Sequence, residues 1–400
     1  MSFELSLKSV VDCRHLSVQP DGDEFSVGDP YLGEFIRVPE VAVDVVRLFD
    51  GRRTVEDVHR LMLEKYEEEV DVLDFAVTLL ECDLIYSVDG AVVHPEVRRE
   101  ASEGLYRLGR FFYSRVMMGV YVVAAVVAVV MMVMRPELFP AFRDVFVYES
   151  VGFSALNILV VTAALTVLHE VGHLLAASAC RVNSRIRLNL RLIFLVAETD
   201  MTGLWGVEKK KRYVPFMAGM MWDGLVIAVC LGVQWFGVGG PVVEAYAAMV
   251  VFICMMNVLW QFVVFFRTDL YFVLSNWKNT SALHQHSMLY LRRRVLGKQE
   301  DAWDELPEHE RKNATWFGML YGVGAVVAIG VFAYFQIPPL VYGVNLAVGN
   351  MIGHPVGSFV FWDGAIVLMV LAVNGVLWLL GLRTNVRERR RMREQQGAVA

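Results

Sequence analysis

The chain has 400 residues, is 56% hydrophobic and carries a formal net charge of −6, with a positive mean hydropathy. That is too apolar for an ordinary soluble domain and points to a mainly α polytopic membrane protein, with a lipid bilayer as its first partner. Residues 1–100 hold 10 Lys+Arg against 23 Asp+Glu, whereas the remainder holds 27 against 20. An acidic head thus precedes a basic membrane body, and nucleic acid, which requires a basic face, is excluded as a partner of the head.

The opening residues Met1-Ser2-Phe3-Glu4-Leu5-Ser6 lack a basic stretch followed by an apolar one, so no cleaved signal peptide is expected. The cysteines Cys13, Cys82, Cys180, Cys230 and Cys254 show no Cys-x-x-Cys spacing, which predicts neither a disulfide nor a cysteine-only zinc site.

Residues 1–95 read as a small α+β domain. Leu16–Gln19 and Glu24–Val27 alternate around Pro20-Asp21-Gly22-Asp23, a hairpin signal, and Phe35–Val38 follows as a third strand. Glu40–Phe49 repeats apolar residues at helical spacing and stops at Asp50-Gly51. Thr54 can cap a second helix reaching about Tyr66, with Glu56 and Asp57 favourable in its first turn. Asp71 opens a third helix to about Cys82, and Leu84–Ser87 and Ala91–His94 flank Val88-Asp89-Gly90 as a last hairpin. Three helices followed by a hairpin are the order of a winged helix. The stretch Leu48-Phe49-Asp50-Gly51-Arg52-Arg53-Thr54-Val55-Glu56-Asp57-Val58, with the helix and hairpin after it, resembles PqqD-like peptide-recognition domains over about residues 10–95. That resemblance implies a ribosomally made precursor or leader peptide as partner, held as an added strand beside the wing through backbone hydrogen bonds.

Residues 96–111 form a charged linker into the membrane body, 112–382, and an Arg-rich tail, 383–400, follows it. Six apolar stretches are long enough to cross a bilayer, at approximately 112–134, 152–180, 214–236, 243–275, 315–337 and 359–382. Loop 181–213 carries Arg181, Arg185, Arg187, Arg191, Lys209, Lys210, Lys211 and Arg212, and loop 276–314 and the tail are also basic, whereas 237–242 and 338–358 hold no Lys or Arg. By the positive-inside rule the chain is a multi-pass cell-membrane protein with both termini cytoplasmic, its tail on anionic headgroups.

The second span contains His169-Glu170-Val171-Gly172-His173. On a helix, positions i and i+4 share a face, so both imidazoles can bind one metal ion, with Glu170 beside them as general base. Ionisable groups in hydrocarbon are costly and mark function. A catalytic zinc needs a third protein ligand and an open position for water. Asp363 lies near the outer side, at the wrong depth, whereas Asp223 and Asp269 both lie nearer the cytoplasmic side, and depth does not separate them. Asn257 can hydrogen-bond substrate backbone or bridge helices, Arg267 needs a carboxylate partner or cavity water, and His284 and His286 read as solvated loop residues.

Over roughly residues 112–280 the chain resembles the site-2 protease family of intramembrane zinc metalloproteases. The motif His169-Glu170-Val171-Gly172-His173 and the context Phe266-Arg267-Thr268-Asp269-Leu270-Tyr271 carry the likeness, the latter being similar to the Thr-Asp-x-Tyr pattern of the peptide zinc metalloprotease branch. The family's Asn-x-x-Pro and Leu-Asp-Gly elements are not matched, since Trp260 follows Asn257 in the place of proline and Leu270 follows Asp269. The resemblance implies a site-2-protease-like core that hydrolyses peptide bonds, Zn2+ held by His169, His173 and Asp269, Glu170 as catalytic base and acid, and Asn257 near the substrate; Asp223 stays the alternative metal ligand. It also implies a substrate, either a precursor or membrane-inserted peptide or, alternatively, a membrane-anchored signalling protein. A peptide exporter or immunity protein with a structural zinc is the non-enzymatic alternative.

Overall fold

A computed structural model describes residues 5–21, 24–67, 69–93, 102–191, 194–280, 283–297, 301–304 and 306–399. The chain folds as two compact units. One comprises Met1–Ser114, Leu174–Arg185 and Thr199–Pro215, and the other Arg115–His173, Ile186–Glu198 and Phe216–Ala400.

The first unit opens with β1 (Val10–Asp12), β2 (Ser17–Asp21), β3 (Glu24–Asp29) and β4 (Glu34–Val38). It continues through α1 (Glu40–Leu48), β5 (Asp50–Thr54), α2 (Val55–Tyr66), α3 (Val72–Glu81) and the hairpin β6 (Ser87–Val88) and β7 (Ala91–Val92). The expected elements are all present in their expected order, although Leu84 and Ile85 are buried core residues rather than strand, and His94 lies outside the described residues. Two strands were not expected. The short β1 pairs antiparallel with both β5 and β6, giving a sheet of order β5-β1-β6-β7 beside the meander β2-β3-β4.

Local chemistry explains the joints of this unit. Thr54 caps α2 by accepting from the Asp57 N–H at 3.1 Å, and Asp57 Oδ2 accepts from the Thr54 N–H in return, a reciprocal capping box. Asp71 caps α3 by accepting from the Asp74 N–H at 2.9 Å. The β6–β7 turn has φ of 51° at Asp89 and 81° at Gly90, the pair of positive angles that a type I′ hairpin requires. Val11, Val27, Val45, Phe49, Val55, Val58, Met62, Ala76, Leu79 and Leu84 form the core and are all fully buried. Asp44 on α1 binds Lys65 and accepts from the Tyr66 hydroxyl at 2.6 Å, tying α1 to the end of α2.

Residues 96–101 of the expected linker lie outside the described residues. The rest forms α4 (Glu103–Phe112), capped by Ser102, whose Oγ accepts from the Leu105 N–H. The same unit includes a 3-10 helix, Thr202–Gly206, packed on β2, β3 and β4. Arg212, counted above among the basic residues of loop 181–213, lies in the first turn of the helix that starts at Lys209 and is fully buried. Its guanidinium donates to the carbonyls of Val207 (2.7 Å) and Trp205 (2.9 Å) and faces the Trp205 ring. Those bonds help accommodate the buried cation.

The second unit is helical. It is built on α5 (Arg115–Met134), α6 (Val151–Ala179), the hairpin β8 (Arg185–Arg191) and β9 (Phe194–Asp200), α7 (Lys209–Phe236), α8 (Gly240–Gln261), α9 (Asp269–Trp277), α10 (Leu283–Leu296), α11 (Asp301–Asp304), α12 (Glu308–Gly353) and α13 (Phe359–Val399), the ends of α6 and α7 belonging to the first unit. Among the described residues five helices are long and apolar enough to cross a membrane: 115–134, 151–179, 209–236, 240–261 and 359–380. The expected fifth span, 315–337, falls inside α12, part of whose side chains lie outside the described residues. Ala128 and Met131 of α5, Leu165 of α6, Ile227 and Leu231 of α7 and Met249–Cys254 of α8 meet in a common core. Val122, Val123, Val126 and Val129 of α5 are more than half exposed, an apolar surface of the kind that lipid covers.

The fourth expected span, 243–275, is not continuous. Helix α8 ends at Gln261, a 3-10 turn covers Val264–Phe266, Arg267 takes a left-handed conformation (φ 58°), and α9 starts at Asp269. An unbroken apolar sequence conceals this interruption, because none of its residues is a strong helix breaker.

Candidate metal centre

Helix α6 places His169 and His173 one turn apart on one face, with ring centroids 5.0 Å apart. Both are buried, as is Glu170 between them. The break after α8 delivers Asp269 to the same point, at the N-terminus of α9, where the helix dipole favours its negative charge. Asp269 Oδ2 lies 3.1 Å from Nε2 of His169 and 3.1 Å from Nε2 of His173, and the two Nε2 atoms are 3.2 Å apart. Three donor atoms therefore form a nearly equilateral triangle. Bonds of about 2.0–2.1 Å at tetrahedral angles put zinc ligand atoms about 3.3 Å apart, so the triangle fits one face of such a site.

The fourth side chain is Asp223 on α7. Its Oδ2 lies 2.8 Å from His169 Nδ1 and is itself buried. A hydrogen on Nδ1 donated to this carboxylate leaves the Nε2 lone pair aimed at Asp269. Lone pairs of nitrogen and oxygen converging at this distance call for a cation between them or for protons on the rings. Asp223 stands behind a ring nitrogen, where carboxylates commonly orient metal-binding histidines. The two aspartates that depth alone left equivalent thus occupy different places: Asp269 in the triangle, Asp223 behind it.

Gly219, one turn before Asp223 on α7, completes the seat of His169. A Cβ at this position would lie 2.3 Å from His169 Nε2, so no larger residue fits while the ring stays where it is. The spacing Gly219-x-x-x-Asp223 was legible as one helix face, but nothing in the sequence says that the face meets His169.

Gln261, the last residue of α8, was not singled out from the sequence. Its side-chain Oε1 accepts from the Asp269 N–H at 3.0 Å, and its backbone carbonyl accepts from Thr268 Oγ1 at 2.7 Å. Asn257 sits half-buried one turn earlier on α8.

The remaining polar residues lie elsewhere. Asp363 accepts from the Gly152 N–H at 2.8 Å and binds the Ser150 hydroxyl, so it secures the N-terminus of α6. His286, expected in solvent, is largely buried with Nδ1 2.7 Å from Glu310, because α10 packs on α12. Arg267 is exposed at its left-handed turn, and Asp223 and Asp269 both face histidine rings.

No known protein family, curated protein or solved structure matches the chain.

Proposed function

We propose that the chain is a membrane-embedded zinc metallopeptidase of site-2-protease type. The observation that carries this reading is the triangle of His169 Nε2, His173 Nε2 and Asp269 Oδ2 with Glu170 buried beside it. Two neutral imidazoles and one carboxylate are the donor set of a catalytic zinc that keeps a position open. When bound, zinc would polarise a peptide carbonyl and lower the pKa of water toward about 7.

The chain's own residues supply the proton handling. Glu170 takes a proton from the attacking water as its oxygen bonds to the peptide carbon. It then returns that proton to the nitrogen as the C–N bond breaks, releasing a carboxylic acid and an amine, between which the remaining proton redistributes in water. Asp223 keeps the His169 ring in one tautomer and one orientation throughout. Substrate must reach the site extended, since helical backbone shields its own carbonyls.

The head supports a proposal for the substrate class. Its three helices and terminal hairpin are the order of a PqqD-like winged helix, and its sheets end on the edge strands β4 and β7, where an extended peptide can add by backbone pairing. A ribosomally made precursor peptide, its leader held by the head and its scissile bond in the membrane body, is the substrate we assign. In this reading α12 supplies a sixth crossing and both termini are cytoplasmic.

Full-length protein in liposomes, incubated with a quenched-fluorescent peptide library, tests the chemistry. Wild type should hydrolyse library members, and Glu170→Gln should retain zinc yet lose hydrolysis, because an amide cannot accept the proton. Equal hydrolysis by the variant would remove Glu170 from the reaction, and no hydrolysis by zinc-loaded wild type would overturn the peptidase reading.

A further inference from the structure

The interruption between α8 and α9 is closed through one residue, Gln261. A helix end leaves carbonyls unpaired and a helix start leaves N–H groups unpaired. Gln261 serves both sides of the break: its backbone carbonyl, at the end of α8, takes the Thr268 hydroxyl, and its side-chain oxygen takes the Asp269 N–H. Thr268 stands at the capping position of α9, yet its hydroxyl is turned back to Gln261 rather than to its own helix. Gln261, at 9% exposure, and Thr268, at 5%, are both buried, so the bond between them is shielded from water, and the bond to the Asp269 N–H is partly so. The loop they close carries the left-handed Arg267 immediately before Thr268.

The consequence falls on Asp269. Its backbone nitrogen is held by Gln261 and its carboxylate lies 3.1 Å from both imidazoles, so the amide contact sets where the carboxylate starts from. We infer that Gln261 is a positioning residue for Asp269, holding the third donor of the triangle in place across the helix break. This rests on the zinc reading above, and it assigns the task to a residue that touches neither the ion nor the substrate.

Cobalt, which reports coordination by its visible absorption, is the probe. Full-length protein in detergent would be titrated with Co2+, and zinc affinity measured by competition, for wild type, Gln261→Met and Gln261→Glu. Methionine keeps the volume and apolar burial and leaves the Thr268 bond to the backbone carbonyl, but removes the acceptor for Asp269. Gln261→Met should lower metal affinity by about 10–100-fold and change the cobalt spectrum, as loss of outer support for a ligand does. Gln261→Glu restores an acceptor oxygen and should return both toward wild type. Unchanged affinity and spectrum in Gln261→Met would overturn the inference while leaving the zinc reading standing. Failure of wild type to bind cobalt or zinc would instead sink that reading. Should Gln261→Met not fold, hydrogen exchange of the Asp269 amide in wild type decides: protection supports the clasp and rapid exchange overturns it.

Discussion

His169 Nδ1 and Asp223 Oδ2 lie 2.8 Å apart in the buried centre of the helical unit, on the side of the ring away from Asp269. One imidazole is therefore bracketed by two carboxylates with different tasks. The arrangement ranks them: loss of a carboxylate in the triangle should cost more than loss of the one behind it. Asp269→Ala should abolish zinc binding or weaken it most, and Asp223→Ala should weaken it by about 10–100-fold, the usual range for an outer partner of a metal-binding histidine. Metal content and competition with a chelator check this in folded variants. The reverse ranking would exchange the two roles.

Gly219 gives a second, steric test. Gly219→Ala places a methyl group 2.3 Å from His169 Nε2, so the ring or α7 must shift. Zinc affinity should fall at least about 10-fold, as for other disturbances of a ligand's orientation. Gly224→Ala on the same helix meets nothing within 4 Å and should bind zinc as wild type does. Equal effects of the two substitutions would show that the seat of His169 is not what Gly219 provides.

Much of this was legible in the sequence, and the reasons are local. The reciprocal cap of Thr54 and Asp57, the cap at Asp71 and the Asp89-Gly90 turn depend on residues within three positions of each other. The His169–His173 face follows from helical period alone. What was not legible depends on contacts between distant segments. The strand Val10–Asp12 is three residues long and exists because Asp50–Thr54 and Ser87–Val88 pair with it. Arg212 reads as one more loop cation until the carbonyls of Trp205 and Val207 surround it. The break at residues 262–268 lies in a stretch as apolar as a continuous span, and the 3-10 turn at Val264–Phe266, the left-handed Arg267 and the bond from the Asp269 N–H to Gln261 are tertiary features that no local signal announces.

The head carries a pH dependence of known sign. Hydrogen bonds from Lys65, and then from Tyr66, lower the Asp44 pKa below its ordinary value. A lowered folded-state pKa adds stability above the unfolded value of about 3.9, and that stability is lost as pH falls through the folded value. Hydrogen exchange of α1 and α2 amides in the full chain should therefore quicken as pH drops below about 4, after correction for intrinsic rates. Asp44→Asn should be less protected at neutral pH and should lose this component of the pH dependence. A variant with the wild-type profile would show that the link between α1 and α2 does not contribute.

The proposed peptide capture by the head can be tested apart from the chemistry. If the head holds a leader as proposed, a precursor with its leader should be cleaved with a lower KM than the same core without it, because such a head would supply remote binding and raise the local substrate concentration. Free leader added in trans should inhibit cleavage of the full precursor but not of the leaderless core. Given the acidic head, leader binding should weaken as salt rises. Identical KM for the two substrates would reduce the head to a spacer.

X-ray absorption at the zinc edge of the full-length protein reads the identity of the three donors directly. One zinc per chain should be bound by two imidazole nitrogens and low-Z oxygen at about 2.0–2.2 Å, with no sulfur scatterer near about 2.3 Å. In Asp269→Ala the two-imidazole signal should persist only in a small, weakly bound fraction. A chain that takes up no zinc after supplementation, or one whose bound zinc shows sulfur or fewer than two imidazoles, would contradict the assignment of His169, His173 and Asp269.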